Sequence, residues 1–202
     1  MISKKELRGI AKGSGLNLYQ QEKEYLLKLF LYNYYSSFED AIFKGGTAVR
    51  FTLGLDRFSE DLDFNINKPQ TFKKQVRSVM KEIKNIGINN YFLKEELFEK
   101  AYTCEIAFEG PIYNGRKRSR NKFRIDAGIR NPVIKEPKWK LVKSEYPETK
   151  QRFLLKIMDF EEILCEKVRS IFQRNAGRDL YDVWFLLNSG IDLNPHLLKK
   201  KI

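Results

Sequence analysis

The segment from Asp61 to Ile66 constrains the fold most, because polar and apolar residues alternate strictly along it. Successive side chains of a β-strand point to opposite faces, so the pattern predicts a strand with one buried and one polar face. Asp61 and Asp63 share the polar face with Asn65, about 7 Å apart along the strand. Two such carboxylates repel each other unless a cation lies between them, and Mg²⁺ is a hard cation that protein carboxylates bind. A solvated strand edge is the ordinary alternative for such a pair.

A glycine turn, Gly45-Gly46-Thr47, precedes this strand and separates an apolar segment (41–43) from a helical pattern (47–53). The N–H groups of a glycine turn and of a helix N-terminus are suited to an anion such as phosphate. A Gly-Gly pair by itself is usually a simple turn. In combination with the two carboxylates, it supplies the phosphate cradle and metal ligands that nucleotidyl transfer requires.

The chain resembles the AbiEii/AbiGii toxin family in two separate motifs. The first is FKGGTAVR at 43–50, continued by RFSEDLD at 57–63, and the second is EEILCEK at 161–167 with RDLYD at 178–182. The similarity extends from about Leu18 to about Leu187. MenT-like members of this family belong to the DNA polymerase β-type nucleotidyltransferase superfamily. The resemblance therefore implies a mixed α/β (α+β) fold, in which helices flank a small twisted sheet and a C-terminal helical part completes the active site.

A third carboxylate is predicted at Asp126, on the strand over 122–129. Asp126 shares a face with Arg124 and Gly128, opposite the apolar face of that strand. The superfamily places a third carboxylate on a strand beside the Asp-x-Asp strand, and Asp126 is the best match. It would complete a metal site for two Mg²⁺ ions, or Mn²⁺, and act as general base. The alternative is a solvated carboxylate paired with Arg124 or Arg130.

Lys167 lies on the apolar stripe of the helix predicted over 159–174. Burial of an unpaired ammonium costs several kcal/mol, so Lys167 either extends to solvent or points into a polar cavity. The resemblance supports a catalytic lysine near the triphosphate. Asp179 and Asp182 form either a helix N-terminal charge pair with Arg178 or, as the family motif implies, a part of the site that orients Lys167 or the nucleotide.

The remaining site predictions rest on the same resemblance. Gly45, Gly46 and Thr47 are expected to bind the nucleotide, with the Thr47 hydroxyl on a phosphate, and Lys167 and Asp182 are expected to join them. Asp179 is favoured as the catalytic member of the aspartate pair. Arg57 and Ser59 match the motif without a clear chemical role, and Lys44 and Arg50 are expected to be surface or pairing residues.

The net charge of +12 and the isoelectric point near 9.6 indicate an anionic partner, with nucleic acid as the leading candidate. The cluster proposed to contact RNA comprises Arg116, Lys117, Arg118, Arg120 and Lys122. A second run, at 199–201, is equally well explained by solubility alone.

Composition excludes several other classes. A mean hydropathy of −0.51 and the absence of a long apolar run or leader-like N-terminus predict a soluble cytoplasmic protein without a membrane anchor. Cys104 and Cys165 are expected to be reduced core residues, and a single histidine, His196, argues against zinc or triad chemistry. No Gly-Lys-Ser/Thr loop suggests a kinase. We expect a nucleotidyltransferase core with N-terminal helices over 1–130 and a C-terminal helical part over 131–202.

Secondary structure follows from periodicity and from proline and glycine positions. Helices are predicted at 3–12, 19–36, 47–53 and 69–86, and strands at 41–43, 61–66, 91–97, 103–108 and 122–129. Residues 130–150 are predicted to be an irregular connection. Two closing helices follow at 159–174 and 178–188, with a break around 175–177.

The sequence thus predicts transfer of a nucleoside monophosphate from an NTP to an acceptor hydroxyl. The resemblance implies a toxin of a toxin–antitoxin or phage-defence system, restrained by a cognate antitoxin, and the acceptor in related toxins is the 3′ end of tRNA. A transferase that modifies a protein or small molecule remains an alternative. So does a catalytically degenerate, basic nucleic-acid-binding module, which would show no metal-dependent turnover.

Overall fold

A single seven-stranded sheet organises the part of the chain that the computed structural model describes, residues 1–129, 132–174 and 176–201. The strands are β1 (Ile42–Lys44), β2 (Asp61–Asn65), β3 (Asn90–Leu97), β4 (Ala101–Phe108), β5 (Asn121–Gly128), β6 (Lys138–Lys143) and β7 (Arg152–Ile157). Their order is β3-β4-β5-β2-β1-β7-β6. The β2–β5 and β1–β7 pairs are parallel, and the other neighbours are antiparallel.

Some of the helices begin at a residue that caps them or at a proline. They are α1 (Lys4–Ser14), α2 (Leu18–Ser37), α3 (Gly45–Leu53), α4 (Pro69–Asn85), α5 (Phe160–Gln173), α6 (Gly177–Asn188) and α7 (Pro195–Lys201). Ser3 and Asn17 form capping boxes at the starts of α1 and α2, which satisfy backbone N–H groups that have no partner within the helix. Pro69 begins α4, where its missing N–H costs nothing.

Helices α2 and α4 cover one face of the sheet. The Phe64 ring on β2 contacts the rings of Tyr34 on α2 and Phe72 on α4, and all three side chains are buried. Leu62 and Ile125 are fully buried on the same face. Because side chains alternate along a strand, Asp61 and Asp63 of β2 and Asp126 of β5 lie on the opposite face, away from these helices.

The predicted mixed α/β fold is confirmed, with helices on the sheet as expected. The prediction of an irregular connection over 130–150 is wrong, because β6 lies within it and pairs with β7, a strand the sequence pattern did not predict. Three large apolar side chains of this hairpin, Trp139, Leu141 and Leu154, are substantially exposed. The alternating apolar residues of β6 therefore mark no buried face, whereas β7 alternates regularly between exposed and buried residues. Helix α7 was also not predicted.

Some predictions fall on residues that the structure does not describe. Arg130, one candidate partner of Asp126, and Asn175, in the predicted helix break, lie outside the described residues, as does the boundary between 130 and 131. The division into 1–130 and 131–202 therefore stays a prediction. In the described ranges, no helix combines the length and apolarity that crossing a membrane requires.

Candidate active site

The three predicted catalytic aspartates lie on one face of two neighbouring strands. β2 and β5 run parallel, and Asp63 is directly opposite Asp126, while Asp61 is opposite Arg124. Adjacent strands are about 4.8 Å apart, so the Asp63 and Asp126 backbones are that close. The same row continues to Thr103 on β4 and to Lys44 on β1. The structure therefore brings together residues that are more than sixty positions apart in sequence.

Two carboxylates of this face, Asp61 and Asp63, have pKa values above the ordinary value for aspartate. Burial raises the pKa of Asp63 to about 6, and the nearby charges of Asp126 and Asp61 add to the effect, although Lys44 and Lys167 oppose it. Burial, followed by the charges of Glu60 and Asp126, also raises the pKa of Asp61. An added cation would relieve this repulsion, and carboxylate oxygens are the ligands that Mg²⁺ prefers.

The Asp126 carboxylate is bound by Arg124 from the same strand. The distances are 2.8 Å from Arg124 Nε to Oδ2 and 2.9 Å from an Nη to Oδ1. The pairing considered as the alternative for Asp126 is thus present, on a side chain that is about one-third exposed. Among the described residues, no three acidic, cysteine or histidine side chains form a preassembled metal cage. The oxygen ligands fit Mg²⁺ chemically, but Arg124 would have to release Asp126.

The glycine turn fits closely against the second aspartate. Gly45 has φ of +78°, and a Cβ at this position would lie 2.4 Å from Asp63 Oδ2. A Cβ on Gly46 would lie 2.5 Å from an Arg57 guanidinium nitrogen. Both glycines are therefore required by close approach, and Gly45 also by its backbone conformation. The turn lies beside Asp63, at the start of α3, as an anion-binding turn should.

Thr47 connects α3 to the start of β2. Its hydroxyl donates a 2.6 Å hydrogen bond to the Asp61 carbonyl oxygen and is 2.8 Å from Ser59 Oγ. The side chain is buried. These contacts explain why Ser59 accompanies the motif, since it helps to fix the start of the aspartate strand. The predicted contact of Thr47 with a phosphate stays a prediction.

Lys167 is buried and paired with both aspartates of the second motif. Its Nζ lies 2.7 Å from Asp182 Oδ2 and 3.3 Å from Asp179 Oδ1. Asp182 also accepts two 2.6 Å hydrogen bonds from Arg57, and Asp179 accepts hydrogen bonds from Arg174. The side chain therefore does not extend to solvent. Arg57, for which the sequence indicated no chemical role, completes the ion-pair network that holds Lys167.

Hydrogen bonds and charges outweigh burial at Asp179. Burial raises the pKa of this carboxyl, but the bond from Arg174 and the charge of Lys167 lower it more, so the net shift is downward. Asp179 and Asp182 are both fully buried. Asp182 makes the shorter contact with Lys167, so the geometry does not favour Asp179 over it. Both residues orient Lys167, while their predicted catalytic and nucleotide-binding roles stay predictions.

Lys44 lies beside the predicted catalytic aspartates, a position that was not predicted from the sequence. It was expected to be a surface or pairing residue, and it does pair, with Nζ 2.9 Å from Glu166 Oε2. Yet it also lies opposite Asp63 in the β1–β2 register. Its position immediately before the Gly-Gly turn was the available signal. Arg50, in contrast, pairs with Glu24 on α2, as expected of a pairing residue.

Glu166 also connects the site to the last described helix. It is 3.0 Å from the ammonium of Lys201, which lies 2.6 Å from Glu162 and is almost completely buried. Burial raises the pKa of Glu166, but the charges of Lys44 and Lys201 lower it more, so the net shift is downward. The position of Lys44 is therefore fixed by a chain of ion pairs that extends to α7.

Two cavities meet at Asp63 and Lys44, which line both. One, of about 450 Å³, extends over Asp126, Thr103 and the β3–β4 turn. The other, of about 170 Å³, is bordered by Gly45, by Lys167 of α5 and by Arg174 just after α5. The general-base candidate Asp126 thus lines one cavity and Lys167 the other, with the Asp63 carboxylate at their junction.

The predicted RNA-binding cluster divides into two groups. Arg116, Lys117 and Arg118 are exposed on the loop before β5, where Lys117 begins a short 3₁₀ turn. Arg120 instead binds Glu109, and Lys122 binds Glu105. The loop meets β5 at Asn121, five residues or about 17 Å from Asp126 along the strand. It borders the sheet that carries the site without entering either cavity.

One face of the sheet thus brings together paired aspartates, a glycine turn and a buried lysine, the groups that the sequence predicts for a nucleotidyltransferase site. The family model described as "Nucleotidyl transferase AbiEii toxin, Type IV TA system" matches residues 29–202, and the chain belongs to this family. The resemblance to this family that the sequence motifs indicated is confirmed.

Solved structures show the same fold at low sequence identity. MenT4, a nucleotidyltransferase toxin from Mycobacterium tuberculosis H37Rv, aligns with a TM-score of 0.71 and 16% identity over 98% of this chain and 68% of its own. JHP933 from Helicobacter pylori aligns with a TM-score of 0.59 and 22% identity, over 85% of this chain and 67% of its own. No curated protein sequence matches the chain significantly.

Proposed function

We propose that this protein transfers a nucleoside monophosphate from an NTP to the 3′-terminal hydroxyl of a tRNA, with release of pyrophosphate. The observation that carries the proposal is the placement of Asp61, Asp63 and Asp126 on one face of parallel strands, next to a glycine turn and a buried lysine. The family supports an antitoxin partner, in a toxin–antitoxin or phage-defence setting. The proposed substrates, NTP and tRNA, place the reaction in the cytoplasm.

Asp61, Asp63 and Asp126 would hold two Mg²⁺ ions, with Mn²⁺ as the alternative metal. When bound, such ions polarise the reacting phosphate and stabilise the attacking and leaving oxygens of an in-line displacement. The electrostatics of this pair support this role, because burial and nearby carboxylates, Asp126 in both cases, raise the pKa values of Asp61 and Asp63. Asp126, once released by Arg124, would accept the proton of the attacking hydroxyl.

The cations of the smaller cavity would bind the triphosphate. Lys167 is held in place by two aspartates, and Lys44 by Glu166, so both ammonium groups are positioned before a substrate arrives. Positioned cations stabilise the charge that develops on the leaving pyrophosphate without reorganisation. Backbone N–H groups at Gly45 and Gly46 would bind the same phosphates.

The exposed basic loop would contact the RNA backbone away from the reacting end. Arg116, Lys117 and Arg118 are unpaired with acidic side chains in the described structure and are free to contact phosphates. Phosphate contacts contribute affinity but little sequence specificity. Arg120 and Lys122, which are already paired with glutamates, would contribute less.

The test is incubation of the protein with each α-labelled NTP, Mg²⁺ and total tRNA. Label is expected on tRNA with wild-type protein, and Asp63→Ala and Asp126→Asn should abolish it. Asp56→Asn, at an exposed aspartate outside the site, is the matched control and should be fully active. Label on protein or a small molecule would favour the alternative acceptors, and RNA binding without any label would indicate a degenerate binding module.

A further inference from the structure

We infer that the larger cavity is the acceptor subsite and that the Phe98 ring is the platform on which the terminal base of a single-stranded RNA 3′ end stacks. The inference rests on the proposed function and goes further, because it assigns the acceptor to one cavity and its recognition to one side chain. Phe98 lines this cavity and is 48% exposed.

The separation of the two cavities determines which substrate each can take. Lys167 and Arg174 border the smaller cavity, and Asp126 and Thr103 border the larger. In an in-line displacement, the attacking and leaving oxygens are on opposite sides of the reacting phosphorus. If pyrophosphate leaves among the lysines, the hydroxyl must approach from the Asp126 side. The volume of about 450 Å³ lies in the range of small-molecule sites.

The part of the larger cavity between Asp126 and the β3–β4 turn is lined by small residues. Gly128 has no side chain, and its strand partner is Ala101, so only small groups lie between Asp126 and the β3–β4 turn. Ala101 is two residues, or about 7 Å, from Thr103, which is opposite Asp126. A terminal nucleoside could therefore place its hydroxyl near Asp126 and its base over the turn.

The backbone that carries Phe98 is fixed, although its side chain is exposed. The Phe98 N–H donates a 2.8 Å hydrogen bond to the Ala101 carbonyl oxygen, and the Ile129 N–H donates a 3.0 Å bond to that of Lys100. The turn is thus tied both to its own hairpin and to the end of β5. An exposed aromatic ring on a fixed turn is preorganised for stacking, which is a recognition mode that every base can satisfy.

Kinetics with both substrates tests the assignment. Phe98→Ala should raise the KM for tRNA by about 5-fold to 150-fold, the range that one lost stacking contact corresponds to, with the KM for NTP unchanged. Phe98→Tyr, which keeps the ring, should restore the wild-type KM. Leu93→Ala, an exposed apolar residue of the same hairpin outside the cavity, is the matched control and should change neither constant. An unchanged KM for tRNA, or a raised KM for NTP instead, would overturn the inference.

A binding measurement separates this inference from the proposed function. An RNA duplex with a four-nucleotide 3′ overhang should bind wild-type protein more tightly than the same duplex with blunt ends, and Phe98→Ala should remove that difference. This readout needs no turnover. A wild-type protein that transfers nothing but shows the Phe98-dependent preference refutes the transfer reaction alone. A protein without the preference, or one that keeps it in Phe98→Ala, refutes the stacking platform.

Discussion

Replacement of Asp63 by Asn should stabilise the metal-free protein while it abolishes transfer. The Asp63 carboxylate, which we propose to be a metal ligand, is partly removed from solvent by burial. Its pKa is about 6 in the folded protein, against a value of 3.8 without these surroundings. Because the folded-state value is the higher one, the folded state retains a proton between about pH 4 and pH 6 that the unfolded chain has lost. Stability therefore falls as pH rises through this window.

The size of the effect follows from the same two values. A difference of about two pKa units corresponds to about 3 kcal/mol at 1.36 kcal/mol per unit, and this is an upper limit because Asp63 is half-buried. Asn has almost the same shape and cannot ionise. The variant should thus match the wild type below pH 4 and exceed it by up to this amount above pH 6, or roughly 2 to 4 °C in Tm per kcal/mol.

Thermal unfolding in EDTA from pH 4.5 to pH 7.5, at roughly half-unit steps across the window, measures this directly. Asp56→Asn, at an exposed position, should follow the wild-type curve at every pH. Added Mg²⁺ should raise the Tm of the wild type and have less effect on Asp63→Asn. A variant no more stable than wild type at pH 7.5, or a difference that does not depend on pH, would refute the strained-carboxylate argument.

Three further predictions concern Lys167, the glycine turn and the basic loop. Lys167→Met should abolish transfer and lower the free energy of unfolding by about 1–3 kcal/mol, because two buried aspartates lose a charged partner. Urea unfolding measures the loss of stability, and a stable, fully active variant would contradict this prediction. Gly45→Ala should destabilise the folded protein by more than about 1 kcal/mol, since the positive φ and the close approach of Asp63 both oppose a Cβ. The control Gly13→Ala, in open space on α1, should leave the stability unchanged or raise it by about 0.5–1 kcal/mol in the same assay. A triple variant that neutralises Arg116, Lys117 and Arg118 should flatten the salt dependence of RNA binding by up to about three phosphate contacts. An unchanged salt dependence would show that the loop does not contact RNA.

The aspartate strand and its surroundings were predictable because their signals are local. Alternation from Asp61 to Ile66 determines which residues share a face, and the bounds of β2 and β5 follow from such patterns. The apolar helix stripe that carries Lys167 is also visible in the sequence, but the stripe alone left open whether the side chain extends to solvent or points into a polar cavity. Its partners were less certain, because the contact with Asp182 depends on how α5 packs on α6.

Features that depend on long-range pairing could not be predicted. β6 exposes its alternating apolar side chains, although β7 alternates regularly between exposed and buried residues. The place of this hairpin in the sheet depends on the pairing of Phe43 with Ile157. The role of Arg57 depends on Asp182, 125 residues away. Glu166 and Lys201 likewise acquire their connection to Lys44 only in the folded chain.

The parallel pairings have a consequence for how this protein is made. β1 cannot join β7, and Lys44 cannot meet Glu166, until residues well beyond Asp61 and Asp63 have been synthesised. A nascent chain that ends before α5 holds Lys44 and the carboxylates proposed to bind metal, but lacks Lys167, the other cation proposed to bind the triphosphate. We expect a chain truncated after β7 to be inactive in the tRNA assay. For a member of a toxin family, such late assembly would keep incomplete translation products harmless to the cell that makes them.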